Sequence, residues 1–181
     1  MRKIRLLVPG LALAALTLSG CWLISGQFTV SENLPDPLTI GGVNSLVKAQ
    51  IDLTTNGDYK DHKKDLKDLA DCALLGKFTN NTSNPLDVEV WLTPGLTAFT
   101  NETQVTTGGV LVWGPFRLAG NASRVIGWDE SAKLFSNAGK AALLSEVKGD
   151  GQFTLYAKGK NAPYAFTITQ GVAVVVIDAG K

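Results

Sequence analysis

The side chains that could do chemistry are few: one histidine, two cysteines and 16 acidic residues spread over 181 positions. Nucleophilic catalysis of the serine-hydrolase kind needs an imidazole placed to take the nucleophile's proton, and His62 is the sole histidine. It shares a stripe with Tyr59, Leu66 and Leu69 at spacings of 3, 4 and 3, so it reads as packed at a helix–sheet seam rather than as a base. No G-x-S-x-G, H-E-x-x-H, phosphate-loop or G-x-G-x-x-G pattern occurs. A zinc site wants four nitrogen or sulfur ligands, or three plus water. The expectation is a non-catalytic protein with no cofactor; a hydrolase built on paired carboxylates ranks third among the readings.

Two groupings remain. Asp52, Asn56, Asp58 and Asp61 gather oxygen ligands within ten residues, a weak calcium candidate. The spacing D-x-x-x-N-x-D is not that of an EF-hand loop, and Lys60, Lys63, Lys64 and Lys67 interleave. The competing reading is a solvated helix face with i,i+3 and i,i+4 pairs. In Asp87-Val88-Glu89-Val90-Trp91-Leu92, alternation puts Val88, Val90 and Leu92 on one face and Asp87, Glu89 and Trp91 on the other. An outward tryptophan beside carboxylates suits a sugar or another small ligand, by stacking plus charged hydrogen bonds. Against this, a crossover helix would cover Trp91, or Trp91 would close the strand end.

Charge and leader say where these residues go. Arg2, Lys3 and Arg5 precede a 13-residue uncharged run, LLVPGLALAALTL, and no acidic residue falls before Glu32. About 13 apolar residues are too few to span a bilayer, which takes about 20. The run ends in Leu18-Ser19-Gly20-Cys21, which resembles the lipobox of bacterial lipoproteins at every position. That resemblance implies a cleaved signal peptide over 1–20, a diacylglyceryl thioether on the Cys21 sulfur, and an N-acyl chain on the new terminus. It further implies a bilayer-anchored envelope protein. Trp22 stands where an Asp would suggest retention at the inner membrane, which favours the outer membrane. Losing three of the 17 basic residues leaves 14 against 16 acidic ones, a net charge of −2. Such a chain has no electrostatic claim on nucleic acid. The expected partners are the bilayer, and an envelope protein or glycan. Cys72 is left as an unpaired, buried thiol.

These residues must be carried by a small domain, 27–181, behind a short acylated tether, 21–26. Strand character appears over 27–30, 38–40, 46–53, 74–80, 87–92, 110–118, 123–128, 153–157 and 164–177. The last two look like a terminal hairpin. The apolar run 172–177 suits a central strand. Two segments, 58–70 and 129–147, carry helical spacing, with Asp58 and Asp129 as caps and a kink or split at Gly139. The sequons at Asn80, Asn81, Asn101 and Asn121 read as turn asparagines. The fold expected is mainly β, an antiparallel β-sandwich with two short helical crossovers.

Overall fold

The computed structural model describes residues 25–42 and 46–180. The leader, the lipobox with Cys21, and Trp22 lie outside the described residues. Among the described residues, alternating apolar positions and turn chemistry resolve into nine strands: β1 (Ser25–Asn33), β2 (Leu38–Gly42), β3 (Val47–Asp52), β4 (Leu66–Asn80), β5 (Leu86–Pro94), β6 (Val110–Leu118), β7 (Ser123–Ile126), β8 (Gln152–Gly159) and β9 (Tyr164–Gly180). They form two antiparallel sheets packed face to face as a β-sandwich. The first runs β1-β9-β4-β7, with β2 beside β9 beyond the end of β1. The second runs β3-β8-β5-β6.

Each predicted strand segment has a counterpart, but one pairing differs. β8 and β9 do not form a hairpin: β8 pairs with β3 and β5, whereas β9 lies in the other sheet between β1 and β4. The connection after Gly159 therefore crosses between layers. The predicted central place of 172–177 is observed, with Ile177 fully buried and Val172 and Val176 half-buried.

The helical segments also differ in detail. The segment 58–70 is helical only as far as α1 (Gly57–His62) and one further 3-10 turn to Asp65; β4 takes over at Leu66. Asp68, inside the predicted helical segment, and Asp71, just beyond it, serve a bulged strand instead. Each carboxylate accepts the N–H of the next residue, at 2.8 Å, beside two register shifts against β9. Asn56, not Asp58, caps α1, its Oδ1 accepting from Tyr59 N. The segment 129–147 is two helices, α3 (Trp128–Leu134) and α4 (Asn137–Lys148), capped by Gly127 and Ser136 rather than by Asp129. They part at Phe135–Ser136, not at Gly139. Gly139 is needed for another reason: a Cβ there would lie 2.5 Å from Val112 Cα.

One helix was not predicted, α2 (Glu102–Gly108). Its signature is a variant of the capping box in which the glutamine reaches one residue beyond the N-cap Asn101. Asn101 Oδ1 accepts from Gln104 N at 2.9 Å, and Gln104 Oε1 accepts from Thr100 N at 3.0 Å. Among the described residues, four short helices thus decorate the sandwich where two were expected.

The two flanks of the sandwich are built differently. On one, β7 and β6 are joined by a short turn, and α3 and α4 pack against β4 and β6. Phe78, Trp113 and Phe116 cluster there with ring centroids 5.5 to 5.9 Å apart, Phe78 stacked on Trp113 and edge-on to Phe116. Ser131 of α3 closes the seam, its Oγ accepting from Leu74 N at 2.7 Å and from Trp113 Nε1 at 3.0 Å. On the other flank, the edge strands β1 and β2 of one sheet face the edge strand β3 of the other.

Candidate functional site

Between the sheets the core is not filled. A cavity of about 100 Å³ remains. Its lining draws on eight of the nine strands and on α4, 25 residues in all. It extends from Leu38 and Val47 on the edge strands to Trp113 and Leu143 on the helix-covered flank. Small residues open it: Ala49 on β3, Ala157 on β8 and Ala173 on β9.

Exposure agrees with an unfilled core. On β3 the inward positions Val47, Ala49 and Ile51 are only half-buried, whereas a filled sandwich would bury them. Among the described residues only two charged side chains belong to the lining, Glu32 and Lys48, and both are exposed. The wall is otherwise hydrocarbon. A water in such a space needs two to four polar partners, and this one offers it almost none. An apolar ligand is what these walls can hold.

The predicted tryptophan site is different in kind. Trp91 is half-buried on the outer face of β5, and its Nε1 donates to Glu89 Oε2 at 3.1 Å. Glu89 is itself buried, 6% exposed, although it points away from the core. Segment 95–101 and α2 cover this face of the second sheet, with Phe99 N and Thr97 Oγ1 bonded to the Tyr156 hydroxyl. Beneath the cover, Lys158 of β8 stands directly across from Glu89. Its Nζ lies 3.8 Å from Glu89 Oε2 and 3.3 Å from Glu102 Oε2. Tyr164 completes the cluster by donating to Glu102 Oε1 at 3.0 Å, and burial first, then this carboxylate, pushes its phenol well above the usual range.

The structure therefore brings Trp91 and Glu89 together but not Asp87, which pairs at 3.3 Å with the exposed Arg117. Both carboxylates of the predicted trio already hold a cation. The arrangement pins β5, β8, β9 and α2 to one another around one buried ammonium.

The calcium candidates are likewise engaged. Asp52 accepts from Thr54 N and Thr54 Oγ1 and from Gln152 Nε2, capping the 3-10 turn at Leu53–Thr55. The Thr54 hydroxyl bond holds its carboxyl below the ordinary value. Asn56 caps α1, and Asp58 and Asp61 are exposed on it. Among the described residues no three His, Cys, Asp or Glu side chains gather as a metal-binding group. His62 stacks on Phe28 of β1, ring centroids 5.4 Å apart, at the helix–sheet seam where its stripe predicted it. Cys72 is fully buried and its thiol is pushed up to about 12 by burial.

No family model and no curated protein matches this chain. Among solved structures, a chain from Desmodium yellow mottle tymovirus aligns over 99% of this chain and 96% of its own, at 12% identity and a TM-score of 0.29. A likeness at that TM-score carries no argument about function.

The cavity was missed in the sequence because a void is a property of packing. The only trace is three alanines at inward strand positions where larger residues are the rule.

Proposed function

We propose that this protein is an acyl-anchored cell-envelope lipoprotein of the outer membrane whose sandwich holds an apolar ligand between its sheets, without transforming it. The anchor rests on the lipobox resemblance at Leu18-Ser19-Gly20-Cys21. The binding role rests on one observation, the hydrocarbon-walled cavity that the two sheets leave open.

An empty space of this size costs stability. At about 24 cal/mol per Å³ of cavity, roughly 2.4 kcal/mol of packing is forgone. That is a sizeable share of the 5–15 kcal/mol or so by which a domain is stable. A ligand that fills the gap recovers part of it and stabilises the fold by linkage.

The test is titration of residues 21–181, carrying Cys21→Ser so that no acyl group competes, with xenon, a small apolar probe that dry cavities take up. A saturable change in the xenon NMR shift, together with a raised melting temperature under xenon pressure, is expected. A shift that never saturates removes the binding role. Membrane retention and processing of the native chain, compared with Cys21→Ser, test the anchor separately.

A further inference from the structure

Two strand edges border the open flank of the sandwich, and they are finished differently. Directly paired residues of neighbouring strands share a face. Glu32 of β1 pairs with Ala173, Ala173 pairs with Leu74, and both line the cavity, so the Glu32 carboxylate stands on the inward face in line with Val30. A charge facing inward on an edge discourages a second strand. On β3 the inward positions are Val47, Ala49 and Ile51; the strand holds no proline, and its pairing with β8 runs without a register shift. Among the described residues β8 is the one strand beside it. We propose that the free edge of β3 pairs with β3 of a second copy of this chain, antiparallel about a two-fold axis at Gln50.

The backbone shows which groups that edge offers. In an antiparallel ladder the N–H and C=O of successive residues point to opposite sides. Gly95 N donates to Gln152 O and Lys160 N donates to Asp87 O, so the even-numbered residues of β8 bond toward β5 and the odd-numbered ones toward β3. Leu53 N, which donates to Gly151 O, continues that pattern. Val47, Ala49 and Ile51 therefore bond to β8, while Lys48, Gln50 and Asp52 direct their backbone groups outward from the sheet edge. The Asp52 carbonyl also accepts from Thr55 Oγ1 and keeps a second lone pair.

Symmetry and charge then select the register. Opposed residues must share a face, so the two numbers of every pair add to an even sum. With the axis at Gln50, Lys48 falls opposite Asp52 of the second copy, and Asp52 falls opposite its Lys48. Opposite charges thus meet twice on the outer face, flanking a Gln50–Gln50 pair. On the inner face Ala49 meets Ile51 twice, small against large. Each of the three outer pairs is a hydrogen-bonded pair, with two N–H···O=C bonds apiece, and the second sheet continues through both molecules. The half-burial of Val47, Ala49 and Ile51 is what a strand lacking one neighbour shows, and a second copy would cover them. The axis stands normal to the sheet, and symmetry-related atoms share a height along it, so the anchors proposed at Cys21 of both copies can enter one bilayer.

The experiment is analytical ultracentrifugation of residues 21–181 with Cys21→Ser. A reversible monomer–dimer equilibrium is expected. Lys48→Glu sets like charges opposite each other twice and should raise the dissociation constant about ten-fold or more. Because Lys48 is exposed, the circular dichroism spectrum should not change. Gln50→Cys places two thiols at the axis with Cα atoms about 5.5 Å apart, within the reach of a disulfide, and mild oxidation should crosslink it. In Lys48→Cys the two thiols stand about 13 Å apart along the strands, so it should not crosslink. Cys72 is buried and takes no part. A chain that stays monomeric at every concentration overturns the proposal. So does a dimer that ignores Lys48→Glu, or one in which Lys48→Cys crosslinks as readily as Gln50→Cys.

Discussion

Enlarging Ala157 tests the inter-sheet space most directly. Ala157 lies in β8 between Val47 of β3 and Val90 of β5, and all three line the cavity. Ala157→Leu adds three carbons, worth at most about 2.4 kcal/mol at about 0.8 kcal/mol for each one buried. The void itself, at about 100 Å³, corresponds to about the same amount. These are two routes to one gain, not two gains. Fixing the larger side chain costs about 0.5–1 kcal/mol of rotamer freedom. The net expectation is a stabilisation of about 1–2 kcal/mol, which in a chain of this size raises the melting temperature by about 2–8 °C. Urea unfolding should show a higher midpoint at unchanged slope, and xenon titration should show weakened or lost binding. In a filled core the same change would overpack and cost about 1–3 kcal/mol. A lowered midpoint with xenon binding intact would therefore refute the space as described.

Three other perturbations probe named contacts. Ser131→Ala strips the partner from two buried donors, Leu74 N and Trp113 Nε1, and at about 1–3 kcal/mol for each it should destabilise the fold by about 2–5 kcal/mol in urea titrations. A loss under about 0.5 kcal/mol would show that the seam is held otherwise. Lys158→Met leaves Glu89 buried without its ammonium and should cost about 3–5 kcal/mol, whereas Arg117→Met, at the exposed partner of Asp87, should cost under about 1 kcal/mol. Equal losses would contradict the difference in burial. Cys72 should resist iodoacetamide in the native state and react once unfolded; rapid native labelling would contradict its burial. Its thiol ionises near 9.0 in the unfolded chain and near 12 in the fold, so the stabilisation is complete below about pH 9 and is lost as pH rises toward 12. The slope is at most about 1.4 kcal/mol per pH unit, and Cys72→Ala should remove it.

How far the residues alone led depended on whether a feature is local. Strand segments were legible because alternation and turn residues act within a few positions. The layer of each strand was not: a short link between β8 and β9 suggests a hairpin, and only the competition of β3, β5, β1 and β4 for partners separates them. The stripe of Leu66 and Leu69 misled for a related reason. Two bulges in β4 shift its side-chain period away from two, and Asp68 and Asp71, bonded to the next N–H, supply the support those bulges need. At Trp91 the alternation was right about direction. Burial came from segment 95–101 and α2, whose signal in the sequence is the Asn101 and Gln104 caps. Glu89 is buried by what covers it, which no reading of β5 alone contains.

Anchor and cavity also bear on each other through β1. This strand begins at Ser25, four residues after the proposed attachment point, and four residues reach at most about 14 Å even when extended. An acylated Cys21 would therefore hold the β1 end of the sandwich at the bilayer surface. The same strand forms one lip of the cavity through Val30 and Glu32. β1 is an edge strand, and a charge facing inward on such an edge discourages a second chain from pairing there. Glu32 thus guards the edge of β1 against a second strand. With the lip of the cavity held close to the membrane, a small apolar ligand dissolved in the bilayer would have only the width of the headgroup region to cross. The arrangement predicts that a longer leash weakens exchange with vesicles without weakening binding in solution. Inserting ten Gly/Ser residues after Trp22 should slow transfer of a small apolar ligand from vesicles to the anchored protein. Unchanged transfer at unchanged affinity would show that the ligand reaches the cavity through water, and that the closeness of anchor and lip has no part in it.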